Sequence, residues 1–115
     1  MTSLTLPTEQ STALDHAIDC GSAVVDPQLV DLAQACIDHV LCAGPAPVPV
    51  DERDRDVVAL LEQMLVDVAN LDEATVMRAD RHFEPGQLAD LVMTSYVLEA
   101  RTRLRLACSA LGDPS

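Results

Sequence analysis

The chain has 115 residues, the size of one domain, and 49% of them are hydrophobic, enough to build a core. It carries 19 acidic residues against seven basic ones, all arginine, for a formal net charge of −12; such a surface repels phosphate backbones, so nucleic acid is excluded as an expected partner. No apolar run approaches the roughly 18 residues of a membrane span, and the start MTSLTLPTEQ lacks the basic region and apolar core of a secretion signal.

A cytoplasmic protein is therefore expected, with its four cysteines (Cys20, Cys36, Cys42 and Cys108) reduced. Their spacing fits neither a zinc module nor a disulfide framework. The apolar content is Ala, Leu and Val, with Phe83 and Tyr96 as the aromatic residues. Small side chains suit close helix packing but bury little area each, which favours a homo-oligomer in a chain of this length.

Residues 1–7 are expected to be loose. Thr8 is placed to cap a first helix with Ala13, Leu14, Ala17 and Ile18 inward, ending at Gly21. Asp26-Pro27 opens a second, a capping residue followed by proline in the first turn. Its apolar face holds Leu29, Ala33, Cys36, Ile37 and Val40; Asp31, Ala35, Asp38 and Cys42 lie opposite, with His39 at the border. Gly44-Pro45-Ala46-Pro47-Val48-Pro49 cannot continue a helix, and 44–50 reads as a stiff, polyproline-like spacer. Asp51 caps a third helix that runs to Asn70, with Val57, Leu60, Leu61, Met64, Leu65 and Val68 as its apolar stripe.

A short fourth helix follows Asp72 and carries Val76, Met77 and Ala79. His82-Phe83-Glu84 turns the corner into the longest stretch, from Glu84 to Leu111, with Pro85 in its first turn and Gly112 and Pro114 at its end. That helix has two apolar rows. One holds Leu88, Leu91, Val92, Ser95, Leu98, Thr102, Arg105 and Leu106. The other holds Met93, Val97, Ala100, Leu104, Ala107 and Leu111. Two rows exceed what one partner face needs, so one is expected inside the domain and the other against another subunit. No alternation of period two appears. The chain reads as all-α: a single compact domain over 1–115 with five helices, the last one long.

The order DERDRDVVALLEQ, a short helix, then HFEPGQLADLVMTSYVLEARTRL resembles the carboxymuconolactone decarboxylase and AhpD-like alkylhydroperoxidase superfamily. Phe83, Leu88, Asp90, Leu91 and Arg103 fit its C-terminal pattern, and DPQLVDLAQACIDHVLCAG is similar to its earlier helix. Glu99 stands where the family has Asn. The family's Glu before its Cys-x-x-Cys pair falls on Asp31, the first Cys corresponds to Cys42 one residue out of register, the second to Pro45, and the following His has no counterpart. The resemblance implies an AhpD-like helical fold without the peroxidase machinery.

It also implies chemistry free of cofactor and metal on a small-molecule substrate: decarboxylation, isomerisation or cyclisation, in a setting such as bacterial biosynthesis. The expected catalytic groups are Asp31 and His39, as acid and base, and Tyr96 as an orienting hydroxyl. Arg103, Glu99 and Cys42 are the expected substrate-binding groups, Arg103 as an anion anchor. Tyr96, Glu99 and Arg103 lie at i, i+3 and i+7 and point to one side of the long helix. A non-catalytic module for self-association or partner binding is the alternative, and a thiol peroxidase the third; a helix C-terminus disfavours the Cys42 thiolate that the third would need.

Overall fold

The computed structural model describes residues 8–112, apart from the side chains of 8–11, Ser22 and Gly112. The expected loose segment 1–7, the stop at Pro114 and the capping side chain of Thr8 lie outside them. Five α-helices follow in order: α1 (Thr8–Val24), α2 (Pro27–Cys42), α3 (Glu52–Asp67), α4 (Glu73–Asp80) and α5 (Gln87–Gly112). Among the described residues there is no strand, and no helix is long and apolar enough to cross a membrane.

Local chemistry sets most boundaries. The Asp26 side chain accepts from the Gln28 N–H and Pro27 occupies the first turn of α2. Asp51 accepts from the Asp54 N–H at 2.8 Å, and Glu52 and Asp54 put further negative charge at the positive end of α3. Asp72 caps α4 through the Ala74 N–H. Helix α2 ends where Ala43 takes a left-handed conformation (φ 54°) and the Gly44 N–H donates to the Asp38 carbonyl.

Five expectations need correction. Ala13, expected inward on α1, is exposed, because the helix turns Ile18 and Val25 to the core instead. Gly21 does not end α1, which continues to Val24. The third helix gives way after Asp67 to a 3₁₀ turn, Val68–Asn70, and Val68 is exposed. Met77 is exposed on α4, whose inward positions are Thr75 and Ala79. The long helix begins at Gln87 rather than in the Pro85 turn, because Gly86 is left-handed (φ 86°) and the Gln87 amide oxygen accepts from the Glu84 N–H instead.

Helix α5 packs on α1 and α2, α2 on α3, and α3 on α4. Ile37, Leu60, Leu91, Leu98, Val57 and Cys36 are the largest fully buried side chains, and they join α2, α3 and α5 in one core. The inward face of α5 also buries three hydroxyls. Thr94, Ser95 and Thr102 each donate to the carbonyl four residues back, at 2.8, 2.8 and 3.0 Å, so none is left without a partner. Gln34 of α2 reaches across and donates to Thr102 Oγ1 at 3.3 Å. The first row of α5 is buried through Thr102; Arg105 and Leu106 are exposed, because the helix there runs past α2 and α3. The molecule is accordingly elongated, 52 × 27 × 27 Å.

The physical reason for Gly21 lies in α5. A Cβ at this position would overlap Thr94 Oγ1, and that hydroxyl is held by its bond to the Asp90 carbonyl. The glycine lets two helices approach closely, at a helix-propensity cost of about 1 kcal/mol. Gly21→Ala is expected to destabilise the protein by ~1–3 kcal/mol through overpacking, and Thr94→Ala in the same chain to restore most of the loss. Denaturant midpoints of the two single variants and the double variant measure this; additive losses would show that the two residues do not share one contact.

Candidate functional site

The residues singled out from the sequence are placed on separate parts of the surface. Asp31 is exposed on α2, in an open groove of about 390 Å³ whose other wall is the spacer residues Pro47, Val48 and Val50. His39 is committed to structure: its Nδ1–H donates to the Gly44 carbonyl at 2.8 Å and closes the C-terminal turn of α2. A carbonyl can only accept, so that bond also sets the tautomer, with the proton on Nδ1. Cys42 is exposed in the last turn of the same helix.

Tyr96 and Glu99 do share one crevice, between α2, α3 and α5, with Ala33, Ile37, Leu61 and Met64. Its cavity volume is about 10 Å³, room for about one water. Arg103 is not among the lining residues. Its Nε–H donates to Glu99 Oε2 at 2.8 Å, one turn apart on α5, and its guanidinium is half exposed. The expected alignment of Tyr96, Glu99 and Arg103 thus holds as far as a Tyr96–Glu99 crevice and a Glu99–Arg103 ion pair. Asp31, His39 and Cys42 line no part of this crevice.

The thiol and metal chemistry follows the same separation. Cys36 is buried, and burial together with the nearby Glu62 carboxylate pushes its thiol up to about 12. It stays protonated at neutral pH and packs as a small apolar group. Cys36 faces the core while Cys42 faces solvent, so the two sulfurs and His39 do not converge. Among the described residues, no group of three or more His, Cys, Asp or Glu is arranged to hold a metal ion.

One feature was missed in the sequence and a second was read only in part. The first is an ion-pair cluster at the corner before α5. His82 Nε2–H donates to Asp56 Oδ2 at 2.7 Å, Arg81 donates to the same oxygen at 3.2 Å, and Arg81 also pairs with Glu52. Glu52 and Asp56 are one turn apart at the start of α3, a spacing visible in DERDRD; that their partners are Arg81 and His82 was not. His82 and Arg53 line a polar cleft of about 180 Å³, with Asp26 and Gln87, and Arg53 reaches Asp26 and Asp54 at 3.7 Å each. Arg53 has Asp26 and Asp54 beside it, Arg81 has Glu52 and Asp56, and His82 has Asp56, so these pairs tie α3 to the α4–α5 corner.

The second feature is an exposed apolar face. The α5 row Met93, Val97, Ala100, Leu104, Ala107, Leu111 repeats at intervals of four, three, four, three and four residues, the spacing of a coiled-coil seam. Met93 is 63% and Leu111 72% exposed, and Leu104 is exposed as well. Beside it, α1 presents Ala13, Ala17, Cys20 and Val24, again at four, three and four, with Val24 64% exposed. An open groove of about 240 Å³ runs between the two rows, lined by Ala17, Cys20, Val24, Met93 and Val97. No row position is charged; Asp90 stands at one end of the groove. The α5 row was legible in the sequence; its continuation onto α1 depends on how α1 lies against α5.

The chain matches no model of a known protein family, no curated protein and no solved structure.

The corner cluster has a pH consequence. The His82 hydrogen bond, opposed by partial burial and helped by Arg81, holds the Asp56 carboxyl below the usual carboxylate range. With the folded value lower than the unfolded one, Asp56 contributes stability that is fully present above the ordinary carboxylate range and is lost as pH falls through it. Asp56→Asn is therefore expected to be less stable than the parent at pH 7, with the difference shrinking below about pH 4. Urea denaturation across pH 3–7 checks it; a difference that grows on acidification would refute the assignment.

Proposed function

We propose that the chain is a helical association module whose working surface is the α1/α5 face. The observation that carries this reading is a continuous, uncharged, apolar surface of two seam-spaced rows in a chain of net charge −12. An apolar patch of this extent on a small acidic domain costs solubility unless it is covered. Of the α5 row only Val97 packs against the domain's own core, whose main closure comes from the opposite face of α5 through Leu91 and Leu98. The module's task is then to pack helix against helix.

The face is open to direct measurement in dilute protein. A solvatochromic apolar dye is expected to bind wild type at sub-micromolar concentration and to bind Met93→Glu/Leu104→Glu several-fold more weakly, with the helical circular dichroism unchanged. Equal dye binding by the two proteins would remove the face from consideration.

A second reading, a cofactor-free lyase or isomerase of the carboxymuconolactone decarboxylase-like type, draws support from Tyr96 and Glu99 in one crevice with Arg103 held at its edge. On this reading the crevice widens to admit a small organic acid, and Glu99 releases Arg103 to pair with its carboxylate. Screening small carboxylic acids by thermal shift tests it: a hit that raises the melting temperature of wild type should have no effect on Arg103→Ala. Stabilisation of both proteins alike would place the acid elsewhere.

A further inference from the structure

Resting on the association reading, we infer that the surface covering the α1/α5 face is the same face of a second copy of this chain, in a two-fold four-helix arrangement. The register of α1 on α5 makes the face complementary to itself. Gly21 lies against Thr94 and Asp15 pairs with Arg101, so the two helices run antiparallel and their levels are known. On that register Cys20 stands level with the gap between Met93 and Val97, Ala17 with the gap between Val97 and Ala100, and Ala13 with the gap between Ala100 and Leu104.

A two-fold axis lying in the face and parallel to the helices keeps these levels and sets α1 of one protomer over α5 of its partner. Each small side chain of the α1 row then enters a gap in the larger α5 row, twice by symmetry. Every neighbouring pair of helices is antiparallel, as in an up-and-down bundle. Turning the axis across the helices stacks α5 on α5 and α1 on α1, large row on large and small on small, and loses that fit.

Charge points to the same occupant. A partner of opposite sign would be drawn to the carboxylates that cover the rest of the chain, whereas this face offers it none between Met93 and Leu111. Two copies of charge −12 can meet only where their acids are absent. The two rows lie side by side from Met93 to Leu104, about 17 Å, and α5 alone carries its row about 10 Å further to Leu111; with helices about 10 Å wide, the face is on the order of 450 Å² in projection. That is at the low end of specific interfaces, which bury about 800 Å² of accessible surface per partner. Dimerisation is therefore expected in the micromolar range and is expected to tighten with added salt, which screens the mutual repulsion.

Sedimentation equilibrium of the full chain in reducing buffer, from 1 to 200 µM, tests the inference; the reductant keeps a Cys20 disulfide from standing in for association. The expected result is a monomer–dimer equilibrium between 12.3 kDa and twice that mass. The dimer should be stronger at 0.5 M than at 0.05 M NaCl and weakened at least tenfold by Met93→Glu/Leu104→Glu. Ala13→Gln, on the other helix and exposed, should weaken it as well by filling the gap-seeking position, and serves if the α5 variant loses helicity. A monomer throughout, with dye still binding wild type but not the α5 variant, overturns the second copy as occupant and leaves the association reading standing. A dimer indifferent to the substitutions on both helices overturns both.

Discussion

The close approach of α1 to α5 at Gly21 and Thr94 is the contact on which the placement of α1, and with it the exposed apolar face, depends. It requires a missing Cβ on one helix and a hydroxyl tied back to its own helix on the other. Once made, it sets α1 antiparallel along α5, turns Ile18 and Val25 inward, and leaves Ala13, Ala17, Cys20 and Val24 beside Met93 and Val97. The apolar face is thus a by-product of one small-residue crossing. Without it the α1 row and the α5 row would be two unrelated stripes.

The same helix reconciles two demands of a chain poor in large side chains. With Phe83 and Tyr96 as the aromatics and neither of them fully buried, core density has to come from short distances and not from bulk. Thr94, Ser95 and Thr102 allow those distances because a hydroxyl bonded to the i−4 carbonyl occupies little space and leaves no polar group stranded. Acidic residues cap helix starts at Asp26, Asp51 and Asp72, join the corner cluster at Asp56, and are spread over the other exposed helix faces, as at Asp19, Asp31 and Asp80. What remains uncharged is one side of the α1/α5 pair.

The separation of Asp31, His39 and Cys42 from Tyr96 and Glu99 has a simple origin. Asp31 and Cys42 lie on the stripe of α2 that faces away from the core, as their spacing relative to Leu29, Ala33 and Ile37 indicates. His39, at the border, is captured by the Gly44 carbonyl because the chain must turn sharply into the Pro-rich spacer. Tyr96 and Glu99 belong to the flank of α5 that borders the crevice between α2 and α3. The side of a helix on which a residue sits was readable; the helix opposite it was not.

Sequence by itself determined the five helices, their capping aspartates, the spacer and both rows of α5, since these rest on local rules: the 3.6-residue period, proline's missing N–H, and the electrostatics of helix ends. It misassigned Gly21 as a stop because a glycine reads the same locally whether it ends a helix or admits another one. Only the tertiary structure decided that question, the pairing of His82 with Asp56, and the joining of two rows into one face. Each of those depends on residues far apart in the chain, brought together by packing that no local preference encodes.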